Sequence, residues 1–275
     1  MTTFLARMAE TSRERVRAAR ARESEAALER RALAQPPAPA LELDTFDVIA
    51  ELKLRSPAAG TLAAGDFDPR AQLTSYVRGG AAAVSVLTEP TEFKGELAHL
   101  SAAADALGPE RRPAMRKDFL VDAYQVLEAR AAGAGGVLVI LAMLDDAAVS
   151  ELVDCAQRCG MFVLLEAFDR ADLERLASYD RPQPQRPPVL AGVNCRDLRD
   201  LQVRFSRFAE LAPFLPRHLP AVAESGIASS ADIETVAAAN YRLALIGSAL
   251  MRSADAAGTL AEWLAAGRAA TLGSP

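Results

Sequence analysis

Short apolar runs recur eight times along the chain, most are followed by a helical pattern, and several end in charged or polar residues. These three observations predict an α/β fold: a single (β/α)8 TIM barrel over residues 46–275, preceded by a helical extension over residues 1–45. A doubly wound sheet would show the same alternation. However, its phosphate fingerprint of three spaced glycines is missing after the first strand.

The extension reads as one or two exposed helices over residues 3–34, rich in Ala, Arg and Glu and closed by Pro36 to Pro39 (PPAP). Its eight Arg face five Glu with no lysine-rich block, which suits a solvated helical face better than a nucleic-acid arm. The strands are expected near 47–53, 82–87, 113–118, 136–141, 162–166, 190–194, 221–225 and 243–247. Between them, residues 123–133 and 231–239 are examples of helical pattern. The first run starts with Val48, Ile49 and Ala50 and then places Glu51 and Lys53 on one face of the strand. Charges on a core-bound segment are costly unless paired or used. In a barrel this conflict is resolved if they lie at the C-terminal mouth, where barrel enzymes carry their active residues.

The other strand ends fit that placement. The third ends in Arg116, Lys117 and Asp118, the fifth in Glu166, the sixth in Asn194 and Arg196, the seventh in Glu224 and Ser225, and the eighth in Gly247 and Ser248. The plain alternative is an ion-pair network at the rim. The lysine count argues for chemistry: of 31 basic residues only Lys53, Lys94 and Lys117 are lysines. Arginine keeps its proton at working pH, whereas lysine can transfer one. Lys53 and Lys117 therefore read as proton-transferring groups or compact ammonium ions, with Glu166 as a partner base or second acid. The turns at Glu224 to Ile227 (ESGI) and Ile246 to Ala249 (IGSA) put Gly and Ser before expected helix starts, where free N–H groups attract phosphate, and Ser56 can add a hydroxyl.

Bulk properties limit the partners. With 275 residues and 51% hydrophobic content the chain can bury one sizeable core. A net charge of -5 and a pI near 5.3 argue against nucleic acid or a membrane surface and for a small soluble substrate. The longest apolar run, residues 134–144, is too short to span a bilayer, and the N-terminus lacks the apolar core of a signal peptide. Cys155 and Cys159 lie one turn apart on an expected surface helix, and with Cys195 they favour reduced thiols in a cytoplasm. Only His99 and His218 are available to zinc, so no metal site is expected. The residues alone describe an acid/base enzyme for a phosphorylated small molecule that needs no metal or redox cofactor.

Six motifs in order carry a resemblance: Val48 to Gly60 (VIAELKLRSPAAG), Ser85 to Glu89 (SVLTE), Met115 to Gln125 (MRKDFLVDAYQ), Gly192 to Leu198 (GVNCRDL), Ala223 to Ile227 (AESGI) and Ile246 to Met251 (IGSALM). Together they resemble the indole-3-glycerol phosphate synthase family over essentially the whole chain. The resemblance implies conversion of 1-(2-carboxyphenylamino)-1-deoxyribulose 5-phosphate into indole-3-glycerol phosphate, CO2 and water. It also implies a place beside other enzymes of tryptophan biosynthesis, and N-terminal helices folded over the barrel mouth. Lys117 would be the general acid, with Glu166 and Lys53 handling protons. Glu51, Asn194, Arg196 and Glu224 would orient the lysines and substrate. Ser56, Ser225, Gly226, Gly247 and Ser248 would hold the phosphate, and Phe93 and Phe119 would wall the aromatic ring or simply fill core. A phosphoribosylanthranilate isomerase would need a Cys and Asp pair at these strand ends, which is absent. A non-catalytic, ligand-binding paralogue would not need Lys53, Lys117 and Glu166 together. Three departures from the family pattern stand out. Ala58-Ala59 replaces a polar pair, Glu96 follows Gly95 where Ser is common and is expected to cost a helix cap, and Cys195 stands where Asn or Ser is usual.

Overall fold

The computed structural model describes residues 3–56, 60–61, 67–179, 186–196 and 202–272. Two helices come first, α1 (Phe4–Arg20) and α2 (Glu25–Leu33), each started by a hydroxyl cap: Thr3 accepts from the Ala6 amide and Ser24 from that of Ala27. The buried residues of α1, Met8, Ser12, Val16 and Ala19, recur at helical spacing, so its Arg-rich remainder faces outward as expected.

Eight parallel strands follow: β1 (Asp47–Leu52), β2 (Ala83–Leu87), β3 (Ala114–Lys117), β4 (Gly136–Ile140), β5 (Phe162–Ala167), β6 (Val189–Asn194), β7 (Ala221–Glu224) and β8 (Leu243–Ile246). Each pairs with its neighbour, and β1 closes the barrel by pairing in parallel with β8 from Asp47 opposite Leu243 to Ala50 opposite Ile246. In this ring β1 and β5 are diametrically opposed. A two-stranded antiparallel hairpin, Arg55–Ser56 with Gly60–Thr61, extends from the end of β1. The helices between strands are α3 (Pro69–Arg78), α4 (Leu97–Leu107), α5 (Ala123–Ala131), α6 (Asp146–Arg158), α7 (Arg170–Arg175), α8 (Arg207–Leu211) and α9 (Ser230–Ala238). After β8 come the short α10 (Ser248–Arg252) and the terminal α11 (Ala256–Leu272). Among the described residues no helix is long and apolar enough to cross a membrane.

Strand alternation divides the core into two shells. Val48, Ala50, Val84 and Val86 belong to the larger shell between strands and helices, whereas Ile49, Ala83, Met115 and Leu164 fill the barrel interior. Met8 of α1 joins the interior cluster, so the first helix plugs the barrel directly. The expectation of a surface position for Cys155 and Cys159 is corrected here: α6 lies on the outer ring, but both thiols turn inward and are buried. The expected weakness at Glu96 is present, since it starts α4 without a side-chain cap and its carboxylate pairs instead with His99 at 3.2 Å.

The second helix is docked through Leu28 and Ala32, both completely buried. Leu28→Ala should therefore lower stability by about 2–4 kcal/mol, the usual cost of a large-to-small change in a core. Urea unfolding followed by circular dichroism measures it, and a loss below about 1 kcal/mol would mean that α2 is only loosely attached.

Candidate active site

The polar residues of the strand ends occupy one layer of the barrel interior. On each strand they are the inward position that follows an apolar inward neighbour: Glu51 after Ile49, Lys117 after Met115, Glu166 after Leu164 and Glu224 after Val222. The strands thus leave the apolar core in step, as the opening conflict between Val48–Ala50 and Glu51 required. Their side chains line one cavity at the C-terminal mouth, together with Lys53, Asn194, Arg196, Phe93, Phe119, Ser225, Gly226, Gly247 and Ser248. Phe4 of α1 and Arg252 of α10 also line it, and neither was anticipated.

Lys117 is the centre. Its Nζ donates to Glu166 Oε2 and to Glu224 Oε2, each at 3.2 Å, with all three side chains largely withdrawn from water. Burial by itself pulls the lysine pKa down, but Glu166, Glu224 and Glu51 outweigh it and hold the ammonium charged well above its ordinary range. Two carboxylates around one cation cannot both be comfortable. Burial and the neighbouring Glu166 raise Glu224 against the pull of Lys117, to about 8, and its Oε1 has no hydrogen-bond partner. Asn194 donates from Nδ2 to Glu166 Oε1 at 3.3 Å, fixing that carboxylate from the other side. Across the barrel, Lys53 pairs with Glu51. Burial raises the Glu51 carboxyl, but Lys53 and Lys117 more than offset this and leave it lowered.

Two glycines make this crowding possible. A Cβ at Gly192 would overlap Glu224 Oε1, and one at Gly247 would overlap Glu51 Oε2 and approach Lys53 Nζ to 3.0 Å. Gly247, expected only as a phosphate contact, therefore also makes room for the ion pair. Gly192 was missed; its signal was a glycine inside an otherwise apolar strand, which often marks a close approach.

The expected phosphate end needs one correction. Ser225 and Gly226 do not directly precede a helix: α9 starts only at Ser230, capped by Ser229. Both residues have positive φ, 70° and 78°, so their N–H groups belong to a left-handed turn, which glycine adopts freely and serine does not. Gly247 and Ser248 do open a helix, the five-residue α10. Arg196 donates its backbone N–H to Asn194 Oδ1 at 2.9 Å, tying the β6 loop to the polar layer at the mouth. Ser56 closes the first strand of the hairpin; its side chain, Ala58 and Ala59 lie outside the described residues. Cys195 is buried beside this turn, 3.3 Å from Ser225 O, and burial pushes its thiol up to about 11, so it acts as packing. Phe93 and Phe119 face each other with ring centroids 6.2 Å apart, and Phe4 meets Phe119 edge-on at 5.8 Å, giving the cavity an aromatic wall.

Comparison with known proteins identifies the family. The indole-3-glycerol phosphate synthase profile matches residues 5–262. The chain belongs to the indole-3-glycerol phosphate synthase family. Curated members include one from Nocardioides sp., 41% identical over 82% of each chain, one from Micrococcus luteus, 43% identical over 82% of this chain and 78% of that one, and one from Hyphomonas neptunium, 37% identical over 92% and 94%. Among solved structures, 3-hexulose-6-phosphate synthase from Salmonella typhimurium superposes with a TM-score of 0.61 at 15% identity over 82% of this chain and 99% of its own. Thiamine phosphate pyrophosphorylase from Pyrococcus furiosus gives 0.59 at 12% over 82% and 97%. At such identities these two likenesses concern the barrel fold alone. For this synthase-family barrel, all the sequence-predicted site residues whose side chains are described meet at one mouth.

The raised Glu224 carboxyl has a measurable consequence. Folded, it keeps a proton to about pH 8, whereas unfolded it would lose it near 4.5, so its contribution to stability falls as pH rises between about 5 and 8. Glu224→Gln, neutral throughout, should gain on the wild type over that window when urea midpoints are compared at pH 5 and pH 8. Parallel pH dependence of the two proteins would show that Glu224 is ionised in the fold.

Proposed function

We propose that this chain performs the decarboxylating ring closure of its family on 1-(2-carboxyphenylamino)-1-deoxyribulose 5-phosphate, with Lys117 as general acid. The observation that carries the reading is the desolvated Lys117 ammonium held 3.2 Å from both Glu166 and Glu224, with the Lys53–Glu51 pair lining the same cavity at the end of β1. Lys117 gives a proton to the ribulose carbonyl oxygen as the ring carbon bearing the carboxylate attacks the carbonyl carbon. A C–C bond forms and the carbonyl becomes a hydroxyl. Breaking the C–CO2 bond returns its electron pair to the ring and releases CO2. The hydroxyl then departs as water with a proton taken up, and the adjacent carbon loses a proton to complete the indole. Glu166 on β5 and Lys53 at the end of β1 serve these last transfers from opposite walls of the barrel, so donor and acceptor need not compete for one face of the substrate.

Binding is divided in the same way. The Phe93, Phe119 and Phe4 wall suits the aromatic ring, and the Ser225–Gly226 turn with Gly247, Ser248, Arg196 and Ser56 suits the phosphate. Residues 1–45 act as a covering extension and 46–275 as the catalytic barrel. The three free thiols fit a reducing cytoplasm, and the product places the protein among the enzymes of tryptophan biosynthesis.

Purified protein given this substrate should produce the indole absorbance of the product; no indole at any pH between 6 and 9 would exclude the reading. Lys117→Arg keeps the charge but removes a transferable proton, so kcat should fall by about 10²–10⁴ with melting temperature preserved. Retention of more than about a tenth of wild-type turnover would mean that the position needs only charge. For Glu166→Gln, a proton-handling role predicts a kcat loss of roughly 10² across the pH range. A near-normal maximum at a displaced pH would instead reduce Glu166 to a counter-ion for Lys117.

A further inference from the structure

We infer that Arg15, a half-buried side chain on the barrel-facing side of the N-terminal helix, is a positioning residue for Lys117 and Phe119, acting through the buried carboxylate of Asp118. The inference rests on the catalytic reading of Lys117 above. Asp118 follows Lys117 directly, its side chain has no exposure to water, and it accepts five hydrogen bonds. Arg15 supplies two of them as a fork, Nη1 to Oδ2 at 2.9 Å and Nη2 to Oδ1 at 2.7 Å. Thr88 Oγ1 at 2.8 Å and Arg116 Nη2 at 3.1 Å add to Oδ2. The Phe119 amide donates to Oδ1 at 2.8 Å.

Among the described residues Arg15 is the one side chain that holds both oxygens, and with Thr88 and Arg116 on Oδ2 its fork sets the rotation of the carboxylate that aims Oδ1 at the Phe119 amide. Arg116 cannot replace it, because its Nη1 is already bound to Gln125 O at 2.7 Å and Glu128 Oε2 at 3.2 Å. The same helix holds the next peptide: Ser12 Oγ donates to Phe119 O at 2.5 Å and accepts from Gln125 Nε2 at 2.8 Å. The Thr88 amide fixes Lys117 O at 3.1 Å. The backbone from Lys117 to Phe119, which carries the acid and one aromatic wall, is thus pinned at three points, and two of them depend on α1. With both Asp118 cations in place its carboxyl stays far below the usual carboxylate range despite burial. A more exposed pair, Arg20 with Asp122 at 2.8 Å, ties the same helix to the same loop but touches neither Lys117 nor Phe119, and so offers an internal control.

The test is steady-state kinetics on the full chain, with wild-type turnover of the substrate measured first. Arg15→Met should lower kcat about 10–100-fold, the range in which a small displacement of a catalytic group is felt. KM should move by less than about 3-fold, because the phosphate loops after β7 and β8 do not contact Arg15. Arg15→Lys, which keeps the charge without the fork, should lose about 3–10-fold, and Arg20→Met should stay within about 2-fold of wild type. Combining Arg15→Met with Asp118→Asn should lower kcat no further than Asp118→Asn alone, since both act on one element. If Arg15→Met does not fold, the comparison of Arg15→Lys with Arg20→Met decides. Folded Arg15 variants with wild-type kcat, or an equal loss from Arg20→Met, would overturn the inference while leaving the assigned reaction intact. A wild-type protein without turnover would remove both.

Discussion

Everything at the barrel mouth follows from keeping one lysine charged where water is scarce. An ammonium withdrawn from solvent is tolerated only when anions and hydrogen bonds replace its hydration, and Lys117 obtains these from Glu166 and Glu224 on two other strands. That requirement fixes the register of the strands bearing the carboxylates, because a slip of one residue would turn Glu166 or Glu224 into the shell beneath the helices. It also fixes backbone composition at remote points. Gly192 stands opposite Glu166 in the sheet and leaves the space that Glu224 occupies, and Gly247 does the same for Glu51 and Lys53. Glycine costs strand stability, and here the space it leaves is filled by a charged or titratable side chain of the mouth.

Alternation along β3 separates two kinds of electrostatics only one residue apart. Met115 and Lys117 point into the barrel, while Arg116 points out toward α5 and meets Asp118. The outer network is built from arginine, whose proton stays in place, and its partner Asp118 is held firmly ionised. The inner network is built from lysine and crowded carboxyls, one of them pushed up to about 8. Permanent charge on one side of the strand holds the frame, and on the other side stand a lysine kept charged by its neighbours and a carboxyl kept protonated by burial. In a chain that uses arginine for nearly every cation, the lysines at the mouth mark this division.

That division explains what could be read from the sequence. The strand ends were legible because apolar runs breaking into Glu51, Lys117, Glu166 and Glu224 report the barrel mouth by period alone, and two of the three lysines, Lys53 and Lys117, pointed to the same cavity. The turn at Ser225 was half legible: Gly and Ser marked a turn at the barrel mouth, but only the backbone reveals positive φ and a helix that begins at Ser230. Arg15 and Ser12 were hidden, because in an Arg-rich helix one arginine looks like its neighbours until Asp118, 103 residues away, is placed against it. Cys155 and Cys159 were assigned to a surface for a similar reason. Their one-turn spacing specifies a shared face of a helix and says nothing about which way that face looks.

The site stores a conflict that the rest of the fold holds in place. Glu166 and Glu224 would separate if free, and a buried carboxyl with an unpartnered oxygen favours no relaxed structure. Closure of the barrel prevents the separation: β5, β6 and β7 are locked in register from Val163 opposite Val189 through Asn194 opposite Glu224, so neither carboxyl can withdraw without breaking the sheet. The large shell of apolar residues between strands and helices therefore supplies the stability that this crowding consumes. Lys117 stays firmly charged in this cluster, and the Glu224 carboxyl, pushed up to about 8 by burial, is the group whose proton exchanges near neutral pH.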